Sequence, residues 1–271
     1  MQKFNLYFHL PAIKTNLKTI NRGAVDCLNY ADNQQWQRVL ESSNILSLNL
    51  NSGELQASQD ISLYKIYSLL GLQDKQYIFE EYKSHFSDNQ YQALRKFQHM
   101  SVPQYDTPFE GLTQIIFGQQ VAVAVANKQR MSFVQAMGIK YNDNLYQYPQ
   151  LQNIQEEQVN AMAISGNKKK SLLAITEYFL NNKTESLDIK QLQEQLIALF
   201  GIGQWSVDWF LLRCASQIHI IPSGDLQIRK VFAKFFNNPD FMDSKKLKEL
   251  EKTFYPIGGL LAHCLLLNNN C

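Results

Sequence analysis

The sequence predicts a mainly α chain, a helical bundle preceded by a small α+β domain with an antiparallel sheet. Three observations carry this. Apolar and polar residues alternate with a period of two in the first stretch; the apolar period changes to 3.6 from about residue 72; and proline and glycine are sparse after that change. The chain has 271 residues, 45% of them apolar, enough to bury a sizeable core.

Phe4, Leu6, Phe8 and Leu10 alternate with Asn5, Tyr7 and His9, the pattern of a half-buried strand. Leu46, Leu48 and Leu50 repeat it, and Asn51-Ser52-Gly53 supplies turn residues before Glu54-Leu55-Gln56-Ala57. A short helix from Ile61 stops at Gly71, so residues 1–71 form the α+β domain and 72–271 the helical region. In the latter, Phe109, Leu112 and Ile116 make one helical stripe, Leu172, Ile175 and Phe179 a second, and Ile189, Leu192, Leu196 and Leu199 a third. Pro103, Pro108, Gly138, Pro149 and Gly166 fall between stripes. The tail Asn268-Asn269-Asn270-Cys271 is expected to fray.

Only 18% of residues are charged, and the net charge is +2, too small to point to a polyanion partner by itself. Any nucleic-acid face has to be local. The sequence contains no apolar run long enough for a membrane span, and Met1 to Pro11 lacks a continuous signal-peptide core. Cys27, Cys214, Cys264 and Cys271 show no CxxC spacing, which argues against a zinc site or iron–sulfur cluster and for a reduced, cytoplasmic setting. No metal or other cofactor is expected.

The segment Leu199-Phe200-Gly201-Ile202-Gly203-Gln204-Trp205-Ser206 reads as helix, tight hairpin, helix, spanning about 189–215. Its glycines let the backbone turn and approach a partner, Ile202 plugs the gap between the helices, and the amides of Gly201, Gly203 and Gln204 face outward at a helix N-terminus, where a phosphate can sit. Such contacts grip DNA without reading its sequence. On this spacing alone, a glycine C-cap followed by an ordinary turn is the commoner reading.

Twenty residues after Trp205 lies Asp225, in Ile221-Pro222-Ser223-Gly224-Asp225-Leu226. Taken with Thr107-Pro108-Phe109-Glu110, with Ile115-Ile116-Phe117-Gly118-Gln119-Gln120-Val121, and with Gly166 followed by Lys170, this order of blocks resembles the helix-hairpin-helix superfamily of DNA glycosylases. The likeness is greatest to bacterial 3-methyladenine DNA glycosylase II and covers roughly residues 72 to 265. The resemblance implies a base-excision repair enzyme that flips an alkylated purine out of double-stranded DNA and hydrolyses its bond to deoxyribose. It further implies action as a monomer, without a membrane, on DNA of the nucleoid.

The resemblance makes Asp225 the catalytic carboxylate. Its charge can stabilise the cationic sugar, by about 4 kcal/mol at 4 Å and an effective dielectric near 20, or orient the attacking water. Local sequence alone allows a simple helix cap, as Gly-Asp before an apolar run commonly is, and Asp208 is a rival carboxylate in an ordinary helical position. Trp205 and Trp209, four residues apart, share a helical face. The family lines its base pocket here, and an indole face favours a cationic base by about 0.5–2 kcal/mol, though both could be core. Bifunctional members carry a lysine nucleophile at the Trp205 position, so the resemblance implies no lyase activity. It places Gln119 at the pocket or duplex face, Gln120 in the hole left by the flipped nucleotide, and Lys170 near the DNA backbone; surface amides and a solvated charge run are the plain alternatives.

There are two departures from the family pattern. Gln120 stands where the best-known member has an apolar wedge. Tyr255-Pro256-Ile257-Gly258-Gly259 lacks the expected arginine, with Leu266 where an aromatic closes the pocket. These leave open the same scaffold acting on deaminated or oxidised bases, and a damaged-DNA-binding module without turnover. His263 reads as a core histidine rather than a catalyst.

Overall fold

The computed structural model describes residues 1–20, 27–73, 78–182, 184 and 187–269; Cys271 and the end of the tail lie outside the described residues. The first part comprises β1 (Gln2–Asn5), α1 (Leu10–Ile20), β2 (Asn29–Ala31), β3 (Gln35–Val39), β4 (Ile45–Asn49), β5 (Glu54–Ala57) and α2 (Leu63–Leu70). The strands form an antiparallel sheet in the order β1-β5-β4-β3-β2. The β4–β5 hairpin turns through Gly53 at φ 74°, and α2 runs from the Ser62 cap to Gly71 at φ 63°, both at the turn residues read from sequence.

The first strand is shorter than its alternation predicts. It ends at Asn5, whose Oδ1 accepts from Tyr7 N (3.0 Å), and the chain turns into α1 with Tyr7 and Phe8 exposed. A local side-chain bond to the backbone competes with the ladder and wins here.

The helical part follows as α3 (Asp88–Arg95), α4 (Pro108–Gly118), α5 (Val123–Met137), α6 (Glu156–Ala161), α7 (Gly166–Asn181), α8 (Ile189–Ile197), α9 (Gln204–Cys214), α10 (Leu226–Phe235), α11 (Ser244–Thr253) and α12 (Gly258–Asn269). Between α5 and α6 it carries a two-stranded hairpin, β6 (Ile139–Asn142) and β7 (Leu145–Gln147), that helical periodicity did not foretell. Polar caps fix where helices begin: Thr107, Ser165, Asp188 and Asp225 each accept a first-turn amide, an arrangement worth about 1 kcal/mol per cap.

Two apolar cores organise the chain. One joins Trp36, Leu46, Leu48 and Leu55 of the sheet to Ile228 and Phe232 of α10 and Leu260 and Leu261 of α12. Side chains on both sides of position 71 therefore share a core. The other packs Leu112 and Ile116 of α4, Ile175 of α7, Leu196 of α8 and Phe210 of α9. Trp209 packs against both, so α9 and the start of α10 meet at the seam. Arg38 of β3 crosses from sheet to bundle, its Nη2 donating to both oxygens of the buried Glu110 (2.7 and 2.6 Å). Burial raises the Glu110 carboxyl pKa above its usual range, against the pull of Arg38.

His263 of α12 is a core residue, 4% exposed, with Nε2 3.0 Å from Asn16 Oδ1; Asn16 Nδ2 donates in turn to the carbonyls of Leu70 and Gly71 (2.9 and 2.7 Å). Burial, and after it the Arg213 charge, lower its pKa to about 3. The unfolded chain takes up this proton near pH 6.5, so the stability His263 contributes is full above that pH and drains as pH falls towards 3. Urea unfolding at pH 7 and pH 5 checks this. The stability advantage of wild type over His263→Gln is expected to shrink by about 2 kcal/mol between those pH values, from 1.36 kcal/mol per unit.

Candidate active site

The hairpin forms where expected. Ala198 caps α8, Gly201 turns the chain at φ 78°, Ile202 is buried beneath the turn, and Gly203 is the N-cap of α9. Gly201 lies so close to α7 that a Cβ there would overlap Ser171 Oγ, whereas a Cβ on Gly203 would meet no atom within 4 Å. Gly201, Gly203 and Gln204 are exposed. Because Gly203 brings no side chain to the first turn of α9, its leading amides point outward with the positive end of the helix dipole.

Asp225 sits at the seam, half-buried, as the N-cap of α10. Its Oδ1 accepts from the amides of Gln227 (2.8 Å) and Ile228 (3.3 Å). Its Oδ2 accepts from Trp205 Nε1 (3.0 Å) and Trp209 Nε1 (3.3 Å). The cap uses one carboxylate oxygen and leaves the other to the helical face of α9 that carries the two indoles. Four N–H donors fill the roughly four acceptor positions of an ionised carboxylate. The Trp205 ring runs between Gly224 and Gly118, about 3.7 and 3.9 Å from where their side chains would begin. It therefore links the Asp225 loop to the end of α4.

At that end the structure refines several sequence expectations. Gln119 Nε2 donates to Gly201 O and Ser206 Oγ, both at 2.9 Å, so its amide braces the hairpin next to Trp205. Gln120 is exposed at φ 55°, a strained conformation for a residue with a side chain, at the tip of the α4–α5 turn. The run Lys168-Lys169-Lys170 at the start of α7 is not one solvated face. Lys170 is exposed with Nζ 5.9 Å from the Phe200 ring of the hairpin, but Lys168 is 7% exposed. Lys168 Nζ donates to Phe117 O (2.9 Å) and Gln129 Oε1 (3.0 Å), capping the C-terminal end of α4, and burial lowers its pKa.

Asp208 is buried rather than an ordinary polar position. Its Oδ1 accepts from Gln204 Nε2 (2.8 Å) and its Oδ2 from Lys248 Nζ (3.2 Å). Lys248 and Glu251 of α11 are site neighbours that sequence reading missed, and their i, i+3 spacing was the one signal available. Leu266 packs partly buried against the sheet-side core.

No family model matches the chain. It is 25% identical over 143 residues to a DNA-3-methyladenine glycosylase of Bacillus subtilis, an alignment covering 49% of this chain and 47% of that protein. The chain spans about half the length of the curated relatives it matches first. In three dimensions it is similar to a 3-methyladenine DNA glycosylase from Archaeoglobus fulgidus, with TM-score 0.82, 18% identity and 99% of each chain covered. It is also similar to an 8-oxoguanine glycosylase/lyase of Clostridium acetobutylicum bound to double-stranded DNA, with TM-score 0.70, 16% identity, and 94% and 92% covered. The chain thus has the fold of the helix-hairpin-helix DNA glycosylases and is similar in sequence to DNA-3-methyladenine glycosylases.

Proposed function

We propose that the protein is a monofunctional DNA glycosylase of base excision repair that removes alkylated purines, above all those of the 3-methyladenine type. The observation that carries this reading is the carboxylate of Asp225, held by two indoles of α9 and two amides of α10 beside an outward-facing hairpin.

In this reading the hairpin amides of Gly201, Gly203 and Gln204, with Lys170, grip the phosphates next to the lesion, and Gln120 enters the stack as the nucleotide leaves it. A purine methylated on the ring carries a positive charge, so the C1′–N bond breaks with its electron pair moving onto the base, which departs neutral. Positive charge then resides on the sugar ring, where Asp225 stabilises it. Water adds at C1′ and loses its proton, leaving an abasic site. With its acceptor positions filled by four N–H groups, Asp225 is suited to act by charge rather than by taking the proton from water. An indole at position 205 cannot form a Schiff base, so the strand stays intact.

The test is to incubate the protein with methylated DNA and identify the released base by chromatography. Free 3-methyladenine, an unbroken abasic strand and no borohydride-trapped adduct are expected. Release of 8-oxoguanine alone, with strand cleavage, would assign the scaffold to oxidised bases; binding without release would make it a damage-binding module.

A further inference from the structure

Resting on the glycosylase reading above, we infer that Lys248 is a positioning residue that holds the Asp225 loop against α9. The loop from Ile221 to Asp225 leaves the first core at Ile221, which is fully buried, and turns through Ser223 N to Ile221 O (2.6 Å) and Asp225 N to Pro222 O (2.9 Å). Its starting residue is gripped at both backbone groups by α11. Glu251 Oε1 accepts from Ile221 N (2.5 Å), and Lys248 Nζ donates to Ile221 O (3.3 Å). The same ammonium lies 2.9 Å from Glu251 Oε1 and 3.2 Å from Oδ2 of Asp208, which is only 3% exposed.

Asp208 sits on α9 within one turn of Trp205 and next to Trp209, the two indoles that hold Asp225 Oδ2. Lys248 thus bonds both to the helix that carries the indoles and to the loop that carries the carboxylate. The Trp205 bond is of ordinary length (3.0 Å) and the Trp209 bond is already long (3.3 Å), and interactions of this kind weaken steeply as alignment is lost. Only a fixed spacing between loop and helix keeps both. Lys248 is about one-third exposed at its side chain, so a direct phosphate contact is the competing role and the experiment has to separate the two.

The Lys248→Met variant is expected to lower single-turnover base release from methylated DNA at least tenfold, leave the Kd for that DNA within twofold, and recover most of the rate as Lys248→Arg. The chain has three tryptophans, so the indole N–H signals in a nitrogen-correlated NMR spectrum give a readout independent of activity. Those of Trp205 and Trp209 should move in Lys248→Met, and that of Trp36, in the sheet-side core, should not. Because Lys248→Met strips the ammonium from a buried aspartate, the double variant with Asp208→Asn controls for folding and should show the same rate loss. Unchanged rate and indole signals would overturn the assignment. So would a Kd that rises as far as the rate falls with the indoles unmoved, which marks a phosphate contact, or a double variant as fast as wild type. Were wild type to release no base from any lesion, the glycosylase reading would fail, while the indole signals would still decide whether Lys248 holds the carboxylate.

Discussion

Asp225→Asn is expected to slow single-turnover base release by about 10³-fold while lesion-DNA affinity stays within about threefold. In the proposed mechanism the rate loss comes from removing a charge that would lie about 4 Å from the cationic sugar, about 4 kcal/mol at an effective dielectric near 20, at 1.36 kcal/mol per decade. Geometry adds to it. Asparagine is as good a helix cap as aspartate, so Oδ1 can keep the amides of Gln227 and Ile228 and α10 stays formed. The new NH2 then faces the two indole N–H donors that now point at Oδ2, and one side must move. Fold and hairpin are retained, so binding survives. Turnover at the wild-type rate would remove Asp225 from the chemistry.

The second large effect is expected at Gly201. At φ 78° an alanine costs about 1–2 kcal/mol on conformation alone. Its methyl would also overlap Ser171 Oγ and lie 3.2 Å from Ser171 Cβ. Ser171 is buried and donates to Asn167 O (2.9 Å), so moving it aside forfeits a bond. A loss of about 2–4 kcal/mol, or roughly 5–10 °C in Tm, is expected for Gly201→Ala, together with weaker DNA binding. Adding Ser171→Ala should recover the steric share only. Gly203→Ala behaves differently, because its methyl enters open space and φ is −113°. The fold should hold while affinity falls for all DNA sequences alike, since the methyl occupies the approach to the α9 amides. Thermal melts with salt-dependent binding curves separate the two glycines.

Much of the fold was legible because burial imposes periods on a sequence. The α4, α7 and α8 stripes lie in one core, and Gly53 and Gly71 mark real left-handed turns. The pairing of Trp205 with Asp225 was legible from spacing through the family resemblance, although their direct bond was not. What stayed hidden is tertiary. Lys168 looks like its neighbours Lys169 and Lys170 until the end of α4 offers it a carbonyl, and Gln119 looks like a surface amide until the hairpin returns beside it. Asp208 and Lys248 are forty residues apart, and nothing local predicts that their charges meet. The β6–β7 hairpin is short and its first strand is wholly exposed, so it carries no burial pattern to read.

The most direct measurement is the affinity for DNA carrying a cationic pyrrolidine ring in place of the flipped sugar, against DNA with the uncharged tetrahydrofuran ring. A carboxylate that works by stabilising sugar charge should bind the cationic ring at least tenfold more tightly, and Asp225→Asn should erase the preference. Equal affinity of wild type for the two rings would contradict it.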